Sequence, residues 1–285
     1  MVYCPKDFKP AEEVADMAGE KSELRLHQQM SSYFLNSLTN AIAATDLMAA
    51  QLEKQPEEAP GPDLAKYLSI LRRNQFQMLR LAENLRELTG LTEGTLKLHR
   101  ETVDLDKLCC ELADSVQALM PDIRVSYKGP DEPCVTFCDS ERIERLLLNL
   151  ISNSLLHCGE DGAIRIQLGR TEDTLQVVVS DNGSGIPREK MDTLFSDYLR
   201  GPRLSEAGRG AGIGLGVAEQ IARAHGGSLI VTSEEGHGTK VVFSLPRINP
   251  GELRSYREPR GSRMRGLLIG LSDVLDAGKF QKPYL

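Results

Sequence analysis

The sequence of 285 residues lacks tryptophan, long apolar runs and an excess of positive charge. No stretch approaches the roughly 18 apolar residues that a membrane-spanning helix needs. The opening segment MVYCPKDFKPAEEVADMAGEK contains no signal-peptide core. The formal net charge of −7 gives no support for nucleic-acid binding. We therefore expect a cytoplasmic protein that binds neither a membrane nor nucleic acid.

The cysteines also lack a pattern that would indicate chemistry. None of the six forms a C-x-x-C pair, and no histidine follows them at metal-ligand spacing. Cys134 and Cys138 flank the strand-like stretch CVTFC. Reduced, half-buried thiols are therefore favoured over a metal or redox site.

Residues 21–92 have the pattern of two amphipathic helices joined by a short loop. Apolar residues recur every three or four positions in each helix, which indicates a core-facing stripe, and KQPEEAPGPD separates the helices. A two-helix hairpin buries only one of its sides, so we expect a homodimer with a four-helix bundle. In the second helix the stripe consists of Leu64, Leu68, Leu71, Met78, Leu81, Leu85 and Leu88, and Gln75 is the one polar residue at a stripe position.

Residues 97–246 have a different pattern, and they predict a second domain of mixed helix and sheet. Short β-branched runs such as AIRIQLG, LQVVVSD and KVVFSLP alternate with helical stretches at residues 140–157, 187–194 and 213–225. The whole chain is thus expected to be an α+β multidomain protein. Residues 1–20 form an N-terminal segment, and residues 247–285 form a tail with a possible short helix.

The most informative stretch is LLLNLISNSLLH, which carries Asn149 and Asn153 on one face of an apolar helix. A buried amide without a partner costs about 1–3 kcal/mol, so a ligand or a polar loop should face this helix. Three glycine-rich segments follow it, namely DNGSGIP, GRGAGIGLG and EGHGT. Because a helix that opens with glycines offers free N–H groups to an anion, residues 212–215 resemble a phosphate cradle.

These segments resemble, in order and spacing, the asparagine box and the glycine boxes of sensor histidine kinases. The similarity is close over residues 139–246, through DSERIERLLLNLISNSLLH, VSDNGSGIP, LFSDYLRG, GAGIGLGVAEQIARAHGG and SEEGHGTKVVFSLP. It is looser over the predicted hairpin, which is similar to the dimerisation and phosphotransfer hairpin of that family. The resemblance implies an α/β-sandwich ATP-binding domain of the Bergerat (GHKL) fold, with ATP and Mg²⁺ as cofactors.

The resemblance also implies roles for individual residues. Asn153 matches the amide that coordinates the magnesium ion, and Asn149 matches the other asparagine of that box. Asp181 matches the carboxylate that accepts a hydrogen bond from the adenine amino group. The remaining residues implied in ATP binding are Gly183 and Gly185 around the base, Gly212, Gly214 and Leu215 near the phosphates, and Phe195 and Arg200 in or beside the lid.

The residue four positions before the metal-binding asparagine distinguishes sites that hydrolyse ATP from sites that transfer its phosphate to a protein. In gyrase-like relatives it is a glutamate that activates water, whereas here it is Asn149. An amide takes no proton at neutral pH, so the site resembles one that holds ATP for transfer to a protein side chain.

The acceptor box departs from the family pattern. Two alignments of the first helix place Tyr33 or Ser32 where the family has its acceptor histidine, and Phe34 replaces the neighbouring acid in the first of them. The only histidine of that helix is His27, which is the candidate phosphoacceptor, although an ordinary packed or capping role is the favoured interpretation. Leu156 stands where the family often has a phosphate-binding lysine.

Three hypotheses follow for the function. The first is an ATP-dependent protein-histidine kinase that phosphorylates itself and passes the phosphate to the receiver domain of a response regulator. The second is a degenerate kinase that binds nucleotide and acts as a dimeric scaffold or regulator. The third is a serine kinase of the anti-sigma type, against which the predicted hairpin argues.

Overall fold

A computed structural model describes the chain in two compact units. The described residues are 2–3, 38–39, 41–42, 45–46, 48, 62–132, 134–159, 161–191, 213–247 and 263–280. The first unit, here called the sheet unit, comprises Met1–Phe8 and Gly94–Gly261. The second, here called the helical unit, comprises Lys9–Glu93 and Ser262–Leu285. Residues 262–285 of the predicted C-terminal tail therefore belong to the same unit as the predicted hairpin, whereas residues 247–261 belong to the sheet unit.

The elements follow one another in mixed order along the chain. The described helices are α1 (Pro62–Thr92), α2 (Leu105–Leu119), α3 (Ser140–His157), α4 (Arg188–Met191), α5 (Gly214–Ala224) and α6 (Arg263–Gly270), followed by a 3₁₀ turn (Ala277–Phe280). The described strands are β1 (Val2–Tyr3), β2 (Glu101–Asp104), β3 (Arg124–Lys128), β4 (Val135–Cys138), β5 (Ala163–Arg170), β6 (Thr174–Asp181), β7 (Leu229–Ser233) and β8 (Thr239–Pro246).

The sheet unit is built on a six-stranded sheet in the order β1-β7-β8-β6-β5-β3. Strands β3 and β5 run parallel, and the other neighbours are antiparallel. Side chains alternate along β5 and β6, so Ile164, Ile166, Val177 and Val179 are buried between more exposed neighbours. A separate antiparallel pair joins β2 to β4.

Helix α3 presents an apolar face to the core of this unit and positions the predicted asparagine box. Its bounds agree with the prediction, and Ile143, Leu147 and Ile151 are fully buried along it. Asp139 caps its N-terminus, because the carboxylate accepts a hydrogen bond from the Arg142 N–H at 3.2 Å. Helix α5 packs against α3, and its own buried face is lined by Val217, Ala218, Ile221 and Ala222.

In the helical unit, α1 packs against the segment formed by residues 263–280. The rings of Phe76 and Phe280 lie 5.4 Å apart between centroids, and the Gln77 amide donates to the Ser272 carbonyl at 3.2 Å. Arg80 forms an ion pair with Asp273 at 2.8 Å. This part of the tail is thus a packed element, in which Leu267, Leu268, Leu271, Leu275 and Phe280 are buried.

The face of α1 that is buried differs from the predicted stripe. Phe76, Leu79 and Ala82 are buried, whereas Leu71 and Met78 of the predicted stripe are 53% and 47% exposed. Gln75 is the one polar residue of the predicted stripe. Its amide donates to the Ala41 carbonyl at 3.2 Å and to the Thr45 hydroxyl at 2.9 Å. Positions 38–39, 41–42, 45–46 and 48 are helical, so Gln75 bonds to the first helix of the predicted hairpin.

Two negative findings apply to the described residues alone. No helix within them combines the length and the apolar character that crossing a membrane requires. The five cysteines that they include are free thiols, and burial raises the pKa of Cys138 to about 12, so this thiol stays protonated at neutral pH.

His225 connects the end of α5 to the start of α3. Its Nδ1 lies 2.8 Å from the Ile221 carbonyl oxygen, and its Nε2 accepts a hydrogen bond from the Asp139 N–H at 3.0 Å. Both contacts require the neutral ring with its proton on Nδ1. Burial is the main cause that lowers the pKa of His225 from its ordinary value of 6.5, and Arg100 and Arg142 lower it further while Asp139 opposes them.

The lowered pKa of His225 predicts that the protein loses stability in mild acid. Because the folded pKa of His225 lies below the unfolded value, the unfolded chain takes up the proton first as the pH falls through about 6.5. The free energy of unfolding should therefore fall below that pH, by at most about 1.4 kcal/mol per pH unit for this one group. Urea titrations of the whole chain between pH 7.5 and 5.5 would measure it.

The matched comparison uses two histidine variants. His225→Gln should be less stable at pH 7.5 and should show a shallower decrease in the free energy of unfolding between pH 7.5 and 5.5. His237→Gln should behave like the wild type, because the His237 side chain is 74% exposed. Equal slopes for the wild type and His225→Gln would contradict the assignment.

Candidate nucleotide-binding site

The site is built around the Asp181 carboxylate, which ends strand β6 and is half-buried. Its Oδ1 accepts hydrogen bonds from the Gly183 N–H at 2.9 Å and the Thr239 N–H at 3.1 Å. Its Oδ2 accepts one from the Ser154 hydroxyl at 2.8 Å. A carboxylate offers about four acceptor positions, so one position on Oδ2 is left for a further donor.

The first glycine-rich segment is fixed between the end of α3 and the β7–β8 turn. The Ser184 N–H donates to the His157 carbonyl at 3.1 Å, and the Gly236 N–H donates to the Ser184 carbonyl at 2.8 Å. The Ile186 N–H donates to the Ser233 hydroxyl at 2.9 Å. The backbone from residue 183 to residue 186 is therefore held from both sides.

Two glycines allow this close approach. Gly185 has φ of +69°, and a Cβ there would overlap the carbonyl oxygen of Glu234. Gly238 has φ of +81°, and a Cβ there would overlap the carbonyl oxygen of Asp181. Any other residue would meet both backbone strain and a steric clash at these positions. The first and third glycine-rich segments of the sequence thus meet because glycines line their contact.

The two asparagines lie one helical turn apart on α3, in different surroundings. Asn149 is 2% exposed, and a Cβ added at Gly214 would lie 3.3 Å from its Oδ1. Asn149 therefore faces the beginning of α5, where Gly214 and the half-buried Leu215 follow Ile213. Asn153 is half-buried and directly precedes Ser154, the donor to Asp181.

A thiol next to this loop stays neutral. Cys158 follows α3, and its Sγ lies 3.8 Å from the Asn182 side-chain oxygen. Burial raises the pKa of Cys158, and the charge of Asp181 raises it further. The Asn182 oxygen also accepts the Ala163 N–H at 2.7 Å, so this side chain connects the loop to the start of β5.

The described residues thus bring several predicted positions together along α3. Asp181 and Gly183 meet through a hydrogen bond, Gly185 lies in the same loop, and Asn149 faces Gly214. His27, Phe195, Arg200 and Gly212 lie outside the described residues. Among the described residues no group of three histidine, cysteine, aspartate or glutamate side chains is arranged to hold a metal ion.

Sequence reasoning missed two of the three residues that hold Asp181, namely Ser154 and Thr239. The sequence offers only a weak indication that Ser154 belongs to the site, namely that it directly follows the predicted metal-binding asparagine on α3. Strand β8 begins at Thr239. The backbone N–H of this residue donates to Asp181. A backbone donor has no residue-type signature, so only the tertiary structure reveals this contact.

The chemistry of these groups fits an adenine nucleotide. The free acceptor position of Asp181 suits an exocyclic amino group. The N-terminal N–H groups of α5 suit phosphate oxygens, and the amide oxygens of α3 suit a hard cation. All of these groups lie on α3 or on elements that contact it.

Comparison with known proteins supports the same interpretation. Residues 138–249 match the family described as histidine kinase-, DNA gyrase B- and HSP90-like ATPase. The adaptive-response sensory kinase SasA of Parasynechococcus marenigrum (strain WH8102) is 31% identical over 205 residues, which cover 71% of this chain and 53% of that kinase. SasA of Synechocystis sp. (strain ATCC 27184 / PCC 6803 / Kazusa) is 28% identical over 256 residues, which cover 86% of this chain and 66% of that kinase.

A solved structure, full-length ShkA in complex with AMPPNP, has a similar fold. Its TM-score is 0.62 at 20% sequence identity, over 78% of this chain and 46% of ShkA. The chain spans about half the length of the first of these SasA relatives. From the fold, the site and these relatives together, the chain belongs to the sensor histidine kinases and carries a GHKL-type ATP-binding domain at residues 138–249.

Proposed function

We propose that the chain is an ATP-dependent protein-histidine kinase of two-component signalling, which phosphorylates itself and passes the phosphate to a response-regulator receiver domain. The observation that carries the proposal is the Asp181 carboxylate, which three donors of the protein hold with one acceptor position open. Such a group accepts a hydrogen bond from the adenine amino group. Relatives named as sensory kinases support a kinase over a scaffold or an anti-sigma-type enzyme.

In this proposal, the base and the triphosphate lie along α3. Asp181 selects adenine, and the backbone at Gly183 and Gly185 passes beside the base. The start of α5, with Gly214 and Leu215, donates N–H groups to phosphate oxygens, and Gly212, Phe195 and Arg200 complete the phosphate and lid contacts. Asn153 supplies an amide oxygen to Mg²⁺, which neutralises phosphate charge when it is bound.

Asn149 supports transfer over hydrolysis. It is buried next to the beginning of α5, where a general base would have to stand in order to activate water. A neutral amide cannot take that proton. The acceptor histidine instead forms a bond from its ring nitrogen to the γ-phosphorus, while the bond from phosphorus to the bridging oxygen breaks and ADP leaves.

The proposed adenine contact predicts the effect of an isosteric substitution. Asp181→Asn keeps the shape of the side chain but replaces one acceptor oxygen with a donor, which would face the adenine amino group. Isothermal calorimetry with MgATP should show a Kd that is higher by roughly tenfold or more.

Asn182→Ala is a poor control for this measurement, because Asn182 bonds the loop to β5. Ser180→Ala is the better control, since the Ser180 hydroxyl donates to the Arg165 carbonyl at 3.4 Å rather than to Asp181. Ser180→Ala should bind MgATP as the wild type does. A wild-type chain that takes up no adenine nucleotide would refute the proposal.

The phosphoacceptor can be identified by its chemistry. We expect incubation with γ-labelled ATP and magnesium to give a label that acid removes and base preserves, as for a phosphorus–nitrogen bond. His27→Ala should abolish this label, and His99→Ala should retain it. An acid-stable label would assign a hydroxyl acceptor, for which Tyr33 and Ser32 are the aligned candidates. Nucleotide binding without any label would assign the scaffold function instead.

We also propose that the chain is a homodimer through the exposed apolar side of the helical unit. Tyr67, Leu71 and Met78 recur at spacings of four and seven on α1 and are 61%, 53% and 47% exposed. Met48, on the first helix of the hairpin, is 59% exposed. Large apolar side chains at such spacing are typical of a helix–helix interface, and a second copy would cover them and form a four-helix bundle.

Charge introduced into this stripe should prevent association. The wild type is expected to sediment as a dimer in analytical ultracentrifugation at micromolar concentration, and the Leu71→Glu, Met78→Glu double variant as a folded monomer. Met264→Glu is the matched control, because Met264 is 40% exposed but lies on α6, and it should remain dimeric. A monomeric wild type, or a dimeric double variant, would argue against this interface.

A further inference from the structure

We infer that Ser154 is a positioning residue that sets the base specificity of the site by orienting the Asp181 carboxylate. The inference rests on the proposed nucleotide binding and goes beyond it, because it assigns the selection of the base to a residue that need not touch the nucleotide. The observation behind it is the arrangement of the hydrogen-bond donors around the Asp181 carboxylate.

The two oxygens of Asp181 are held in different ways. Oδ1 accepts two backbone N–H groups, from Gly183 at 2.9 Å and Thr239 at 3.1 Å, so its acceptor positions are filled by the protein. Among the described residues, the Ser154 hydroxyl is the one donor to Oδ2, at 2.8 Å. Ser154 therefore decides which acceptor position of Oδ2 stays open, and hence the direction from which a ligand can donate.

The hydroxyl of Ser154 is well suited to this task. Ser154 as a whole is 6% exposed on α3, so its side chain is closely surrounded and largely shielded from water. The torsion that rotates a carboxylate has broad minima, and donors on three separate segments, α3, the loop and β8, restrict it. Without the Ser154 hydroxyl, Oδ2 would have two open positions, and water or a misplaced ligand donor could occupy either.

The same geometry explains discrimination between bases. Each protein group bonded to the carboxylate is a donor, so Asp181 acts only as an acceptor. An amino group at position 6 of a purine can donate to the open position, whereas a base with hydrogen at that position leaves it unfilled. A precisely oriented acceptor gains the most from the amino group, which is why loss of the Ser154 hydroxyl should reduce the difference between the two bases.

The experiment compares the Kd for MgATP with the Kd for magnesium purine riboside triphosphate, which lacks the 6-amino group, on the full chain. We expect Ser154→Ala to reduce the ratio of these two constants by about three- to tenfold. Ser154→Cys, which keeps the size of the side chain and a weak donor, should give an intermediate ratio. Ser180→Ala, whose hydroxyl lies near Arg165, should keep the wild-type ratio. Thermal unfolding of each variant checks that it is folded.

A second arm tests whether Ser154 acts through Asp181. In the Asp181→Asn background, adding Ser154→Ala should cause no further loss of discrimination. A Ser154→Ala variant that keeps the wild-type ratio, or an additional loss in that background, would overturn the inference while leaving nucleotide binding intact. A wild-type chain that binds neither triphosphate would overturn the proposed function itself. If Ser154→Ala does not fold, the ratio for Ser154→Cys decides.

Discussion

The hydrogen bonds to the Asp181 carboxylate hold together the parts of the sheet unit that form the site. This one side chain joins α3 through Ser154, its own loop through Gly183, and β8 through Thr239. A half-buried carboxylate is costly to desolvate unless donors surround it, and here the protein supplies most of those donors. The geometry of the site and the packing of three elements therefore depend on the same group.

This dependence explains why the glycines cluster where they do. The carboxylate can reach a backbone N–H on β8 only if the β7–β8 turn lies directly against the loop after β6. Gly185 and Gly238 permit that approach, since a Cβ at either position would overlap a carbonyl oxygen. The glycine-rich segments are thus as much a requirement of the fold as of any ligand.

The sequence predicted the sheet unit better than the helical unit. Period-2 patterns identified β5, β6 and β8, because each has one face in a single core. Helix α3 was identified by its apolar run, and it is buried around most of its circumference. Strands β2 and β3 were missed, since short strands carry little periodicity, whereas β4 lies within the strand-like stretch CVTFC. Both faces of α1 carry apolar residues, so periodicity alone does not show which face packs against other parts of the same chain. For the candidate site, the residue types and the family resemblance predicted Asn149, Asn153 and Asp181, whereas the hydrogen bonds to Asp181 could be found only in the tertiary structure.

The order of segments along the chain has a consequence for synthesis on the ribosome. Helix α1 precedes residues 94–261 of the sheet unit in sequence. Its ion pair to Asp273 nevertheless spans 193 residues, and Arg72 donates to the Phe280 carbonyl across 208. Buried charges such as Arg72, which also pairs with Asp46 at 2.7 Å, are stable only when their partners are in place. The helical unit therefore completes its core only after residues 263–280 have been translated, by which time all residues of the sheet unit have been synthesised.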